Sequence, residues 1–475
     1  MRRSLGACAA LVLPALAQAA AYDIESRTEV QAYTLGAWNP DSGRALQRRR
    51  LVEVLDLAGF EIVAGQDAGL SLQLRVDADF SVAEREAFGL DGVRRSALQI
   101  VSGRLHWNGV GGGRVDLEAG RITALDPVSF FRFDGGRVTV RPLPWLALAA
   151  FGGLRVTGAS WLGSPSFSPD GVRDSDRIRI RDGLPLLPCP GVGTRLCADD
   201  TLDDLAPTFG ARLSLLQLPG GSFSGADLEY RRTLRAGQII EEKASGGARF
   251  RRGAWRAEAG AEWDLYVQRL SALRAALRWG PLPWLSLAAE GIHSHATFSA
   301  DSIWNLYDTA PTREARLRAD LAPPGWPVRL WAAGGAKQFL ATSYGRASFG
   351  DEGGYAPFGA LGLGGALGAT SLSADATVRG GVEGRQAWVS LVARRGFLGW
   401  LEVEGRGTLA SIEDAVAPKN GGTFPALALL LTGRLERRAQ LSLLLEDSAP
   451  RWERNDLRFF AFLTLGAGWD SRMAR

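Results

Sequence analysis

Few residues in this chain have the type and spacing that chemistry requires. There are three histidines, His106, His293 and His295. A barrel lipase or deacylase would set a serine two positions from a histidine on one strand, on the same face. The triplets here are His106-Trp107-Asn108, His293-Ser294-His295 and His295-Ala296-Thr297, and none supplies that partner. His293 and His295 point the same way, but zinc needs at least a third ligand, and the nearest acid is Asp301 beyond the segment. Asp199, Asp200, Asp203 and Asp204 cluster near the end of the longest loop, where calcium binding is a minor alternative to a solvated loop. The glycine runs Gly109–Gly113 and Gly362–Gly365 lack the following helix and basic partner that a phosphate loop needs. No catalytic residue, metal or cofactor is therefore expected, and the protein is not expected to be an enzyme.

What the chain has instead is charge on alternate positions. Arg75, Asp77, Arg256, Glu258, Glu262, Asp264, Arg274, Arg278, Arg316, Arg318, Asp320, Asp375, Arg379, Glu402, Glu404, Arg406, Glu436 and Arg438 all fall on the polar face of a two-residue period. A dry core would not tolerate so many charges, whereas a water-filled lumen solvates them and lets them pair across strands. They are the expected pore-lining residues. Nine are arginine and nine acidic, so strong ion selectivity does not follow.

The elements that hold them are strands. From 255 to 265, Trp255, Ala257, Ala259, Ala261, Trp263 and Leu265 share one face, opposite Arg256, Glu258, Gly260, Glu262 and Asp264. Leu401 to Leu409 and Leu435 to Glu446 alternate in the same way. Segments of about 9 to 13 residues exceed the usual soluble strand of about 5 or 6 and match a transmembrane barrel. Short turns are expected near 64–69, 108–113, 142–145, 218–221, 252–254, 280–283, 322–326, 367–369, 395–399 and 434–438. Longer connections are expected near 36–45, 80–93, 125–135, 157–206, 298–312, 340–355, 413–423 and 448–456. The breaks at 235–238, 266–268 and 380–384 are short. Counting between them gives about 18–22 strands, with both ends of the wall on the short-turn side.

Several turns carry tryptophan. Pro142 to Leu148 and Pro281 to Leu287 share one Pro-Leu-Pro-Trp phrase, echoed by Pro324-Gly325-Trp326 and Leu398-Gly399-Trp400. Trp145, Trp255, Trp284, Trp326, Trp400 and Trp469 are the expected aromatic girdle, at the level where a ring can rest in lipid and its N–H in water.

Composition excludes other classes. The chain has 475 residues, 46% hydrophobic and 22% charged, with a mean hydropathy of −0.03. Beyond the start there is no run long enough for a membrane helix. Arg2 and Arg3, an apolar stretch from Cys8 to Ala17 and small residues at Ala17, Ala19 and Ala21 form an expected signal peptide over 1–19, cleaved after 19 or 21. A lipoprotein box at Leu5–Cys8 is disfavoured, because the apolar stretch follows the cysteine. Losing two arginines takes the formal charge from +4 to +2, which excludes a nucleic-acid partner by charge. Cys189 and Cys197 then remain, eight apart in a Pro/Gly-rich stretch; a loop disulfide is favoured over a metal site, since no histidine is near.

Together these residues resemble bacterial outer-membrane porin-like β-barrels. The last segment, Leu457 to Trp469, is similar to the aromatic terminal strand read by barrel-assembly machinery, with Asp470 to Arg475 as a departure. The phrase Gly120-Arg121-Ile122 … Phe133-Asp134-Gly135 is similar to one in porin and polysaccharide-export barrels. The resemblance implies an all-β fold, a single transmembrane antiparallel up-and-down barrel over 22–475, in contact with outer-membrane lipids of a Gram-negative bacterium. The first expected strand follows the cleavage site closely, leaving no room for a plug domain. The expected function is porin-like passive passage of hydrophilic solutes. An export pore for a secreted polysaccharide and a non-conducting structural barrel anchoring an envelope complex are the alternatives, with the external loop 157–206 open or folded into the mouth. Oligomeric state is left open.

Overall fold

The computed structural model describes residues 21–36, 45–79, 98–125, 130–156, 206–216, 223–235, 237–297, 311–340, 354–381, 384–414, 421–435, 439–448 and 456–470. The expected signal peptide, Cys189, Cys197, Glu436 and Arg438 lie outside these residues, as does 157–205 of the long loop.

The alternating segments form twenty-two strands. In order they are β1 (Ala21–Gly36), β2 (Ala45–Phe60), β3 (Asp67–Asp79), β4 (Leu98–Gly109), β5 (Val115–Leu125), β6 (Phe130–Leu143), β7 (Leu146–Arg155) and β8 (Pro207–Leu215). There follow β9 (Phe223–Arg235), β10 (Gln238–Arg252), β11 (Trp255–Asp264), β12 (Arg269–Leu282), β13 (Leu285–Ser294), β14 (Thr312–Leu321) and β15 (Val328–Phe339). The wall ends with β16 (Gly354–Leu367), β17 (Thr370–Gly381), β18 (Gly384–Phe397), β19 (Leu401–Asp414), β20 (Gly422–Leu435), β21 (Ala439–Ser448) and β22 (Asp456–Asp470).

Successive strands pair antiparallel, as in β1 with β2, β11 with β12 and β18 with β19. The sheet closes on itself where β1 pairs with β22, from Asp23 opposite Asp470 to Tyr33 opposite Phe460. Closure satisfies the backbone of both terminal strands and leaves no edge, which a sheet in lipid requires. β1 and β2 reach 16 residues each, longer than alternation alone indicates, because their ladder continues beyond the apolar stretch.

One expected loop is a strand. Of the long connection placed at 125–135, Leu125 belongs to β5 and 130–135 belong to β6. Asp126 and Pro127 lie outside the described residues, and Phe131 and Phe133 belong to the ladder, opposite Ala124 and Ile122. Glycine makes the close approach here. Gly120 has φ +124, and a Cβ on it would collide with the Gly103 carbonyl. The weakest ladder adjoins it: β4 meets β5 over only Gly103–Trp107.

The inner wall as candidate functional site

In a one-layer closed sheet, side chains on the concave face converge and those on the convex face diverge. Leu317, Leu361 and Leu427 are 67%, 61% and 65% exposed, whereas Phe133, Glu404 and Glu262, on the opposite parity, are 0%, 1% and 5% exposed. The leucine face is therefore outside and the charged face inside. An outer face of Leu, Ala, Val, Phe and Trp is what a bilayer accepts.

Cross-strand register puts Arg75 of β3, Arg256, Glu258, Glu262 and Asp264 of β11, and Arg274 and Arg278 of β12 on the inner face. Arg316, Arg318 and Asp320 of β14, Asp375 and Arg379 of β17, and Glu402, Glu404 and Arg406 of β19 join them. Asp77 stands in β3 opposite Val52, with its side chain outside the described residues.

Their environments differ. Arg274 Nε donates to Glu290 Oε1 at 2.7 Å, Arg316 reaches Glu290 at 3.7 Å and Glu314 at 2.6 Å, and these arginines are half exposed. Arg318 binds Asp320 at 2.7 Å and lies over the Trp331 ring, 4.7 Å from its centroid. Glu404 is buried beneath Arg394, at 2.5 Å, and Arg406. Asp264, 2% exposed, accepts the backbone N–H groups of Tyr266 at 3.0 Å and Val267 at 3.1 Å, so it also fixes the β11–β12 turn.

A denser network lies nearer the long-loop end. Glu241 bonds Arg155 at 2.5 Å and Arg231 at 3.0 Å, with Lys243 at 3.7 Å. Lys243 continues to Glu262 at 2.9 Å, which also accepts from Ser271 at 2.8 Å. Beside it Ile122, Ala124, Phe133 and Phe151 form a buried apolar cluster, with Phe131 against it and the Arg231 guanidinium 4.1 Å from the Phe131 ring centroid. Arg155 N donates to Ala206 O at 2.9 Å, so this network anchors both roots of the connection from β7 to β8.

Sequence periodicity misses this cluster for a local reason. Glu241 and Glu242 are adjacent, and alternation alone does not say which faces inward. A bulge between Ile239 and Glu241 decides it. Glu241 turns in, and Glu242 turns out toward Arg232, at 2.5 Å, and Tyr230. The segment Gly120–Ile122 with Phe133–Gly135 becomes three directly opposed pairs of β5 and β6. Arg121 holds Asp134 through two bonds of 2.7 Å and donates to Ile100 O at 2.6 Å.

The expected girdle residues cluster at the short-turn end. Trp145, Trp326 and Trp400 are 38%, 61% and 48% exposed. Trp284 occupies the turn between β12 and β13, and Trp255 opens β11 and stacks on Trp279 at 5.2 Å. The side chain of Trp469 lies outside the described residues. The Trp145, Trp284 and Trp400 carbonyls each accept a backbone N–H from Leu216, Ala322 and Arg434, at 2.8, 2.8 and 2.7 Å, so the repeated turns are built alike. Register places His293 opposite Leu273 and Arg313 on the outer face. Among the described residues no group of three or more potential metal ligands occurs.

No protein-family model matches the chain, and no curated protein matches it. Among solved structures, the siderophore receptor PirA from Acinetobacter baumannii superposes with a TM-score of 0.52 at 8% identity, over 93% of this chain and 80% of its own. A mutant of the ferric enterobactin receptor PfeA from Pseudomonas aeruginosa gives 0.52 at 9%, over 94% and 80%. The translocation pore of the P pilus usher PapC gives 0.44 at 10%, over 94% and 99%. The similarity is one of fold. It defines the class by fold: the chain is a closed antiparallel β-barrel of twenty-two strands, the architecture it shares with the barrels of these two receptors.

Proposed function

We propose that the barrel is a channel for passive passage of hydrophilic solutes, without a plug, and that the inner-face charges line its water-filled path. One observation carries the reading. Exposed charged side chains of β10–β14 border a cavity of about 720 Å³ against the inner wall. Unburied charge on a concave face is stable only in water. In this reading the outer face contacts outer-membrane lipid, and Leu457–Trp469 is the strand offered to barrel-assembly machinery.

A second reading, export of a secreted polysaccharide, is favoured by aromatic rings on the same face. Phe358 and Trp388 border the cavity and Trp331 stands nearby, offering flat apolar surfaces beside hydrogen-bonding groups.

The test is single-channel conductance of the refolded full-length mature chain in a planar bilayer, before and after reduction of the Cys189–Cys197 pair. Steps proportional to salt support the channel, and a change on reduction places the loop 157–206 at its mouth. Folded β-sheet protein that never conducts sinks passive passage and leaves the gated exporter or the structural barrel.

A further inference from the structure

We infer that the inner wall carries a binding station for multiply charged oxyanions at its short-turn end, built by Arg251, Arg256 and Arg278. The inference rests on the channel reading in taking the inner face as wet.

The three arginines come from three consecutive strands. Arg251 of β10 pairs directly with Arg256 of β11, and Arg256 with Arg278 of β12. Direct partners on one face of an antiparallel pair stand about 5 Å apart, and like charges there repel. All three side chains are exposed, and among the described residues none has a carboxylate partner. Alanine follows in the same cross-strand row, with Arg278 opposite Ala288, and Arg318 comes next, opposite Ala288 on its other side.

The surrounding acids are outnumbered. Eight arginines and three glutamates border the cavity that holds the triplet. Glu290 and Glu314 are taken by Arg274 and Arg316. Glu258 stands opposite Arg249, which also reaches Asp227 at 3.6 Å. Elsewhere on the wall, guanidinium and carboxylate are interleaved, as at Arg394, Glu404 and Arg406. Here three planar forks face water side by side. That geometry fits an anion with several oxygens, which accepts bidentate bonds from neighbouring forks and relieves their repulsion. A low-dielectric wall behind them focuses the field toward that anion. Phosphoryl and polycarboxylate groups share the required chemistry.

The experiment pairs binding with transport. Pyrophosphate and citrate are titrated into the refolded barrel by calorimetry, and each is added to bilayers carrying chloride current. The wild type is expected to bind at least one probe, to show a reversal potential displaced toward chloride, and to be blocked by that probe. The probe that binds more tightly assigns the group. R251Q/R256Q/R278Q is expected to weaken binding and block at least tenfold. R256K, which keeps the charge and loses the fork, is expected to keep the chloride displacement and bind several-fold more weakly. Binding unchanged in both variants, or no binding of either probe by the wild type, overturns the station. Binding without conductance keeps the station and removes the channel; conductance without binding does the reverse.

Discussion

Trp255 and Trp263 stand on the same outer face of β11, eight positions apart, both nearly half exposed. At about 3.3 Å per residue they are separated by about 26 Å along the strand. A tilt of about 40° reduces this to about 20 Å of height, close to the apolar band of about 25 Å between the two aromatic girdles of such barrels. Trp255 opens the strand at the short-turn end, and Trp263 sits one residue from its other end.

This spacing predicts a depth profile. Ala259 lies midway between the tryptophans on the outer face. Ala259→Arg is expected to cost about 2–4 kcal/mol, against about 0–1 kcal/mol for the charge itself at Trp255→Arg. Equilibrium urea unfolding in lipid vesicles measures both. Equal costs would mean that β11 does not cross the apolar layer between its tryptophans.

The same strand shows how much is legible in the sequence. Strict alternation from Trp255 to Asp264 is enough to fix the strand and its two faces. The outer-face aromatic residues at the long-loop end, Trp263 and Tyr355, read in the sequence only as apolar positions, because no repeated turn phrase marks them. Alternation fails where a bulge inserts a residue, as at Ile240 and again at Ser271. A one-residue slip exchanges the faces, so Glu241 and its ion network emerge only from the ladder itself. Phe131 and Phe133 are hidden in the sequence by Asp126 and Pro127, which read as loop residues and draw the expected connection over the start of β6.

The ion network predicts unequal costs for similar changes. Glu241 is buried between Arg155, Arg231 and Lys243. Glu241→Ala leaves those cations facing each other with little solvent, and is expected to cost about 3–5 kcal/mol. Asp320→Ala breaks a pair with Arg318 whose side chains are 47% and 42% exposed, and is expected to cost about 0–1 kcal/mol. The same urea titrations decide it, and similar losses at both sites would refute the distinction.

Glu404 offers a change in transport rather than stability. It sits between Arg394 and Arg406 and holds both. Glu404→Gln keeps the volume and frees the two guanidinium groups toward the lumen. In a conducting barrel the reversal potential under a tenfold salt gradient is expected to move further toward chloride, with the single-channel step nearly unchanged. A move toward the cation side would show that this face does not border the ion path.

Glycine supplies the last contrast. Gly120 has a positive φ of 124, and a Cβ there meets the Gly103 carbonyl across the short β4–β5 ladder. Gly405 of β19, on the outer face, has nothing within 4 Å of an added Cβ and an ordinary backbone. Gly120→Ala must therefore strain one residue and push two strands apart where only five cross-strand pairs hold them. A cost of at least about 1–3 kcal/mol is expected from the backbone alone. Gly405→Ala reduces the freedom of the unfolded chain and is expected to stabilise by about 0.4–1 kcal/mol. The heat-modifiable shift of the folded barrel on cold gels, followed against temperature, reads both. Gly120→Ala should lose the folded band at a lower temperature than wild type and Gly405→Ala at a higher one. The reverse order would place the strained seam of the wall elsewhere than between β4 and β5.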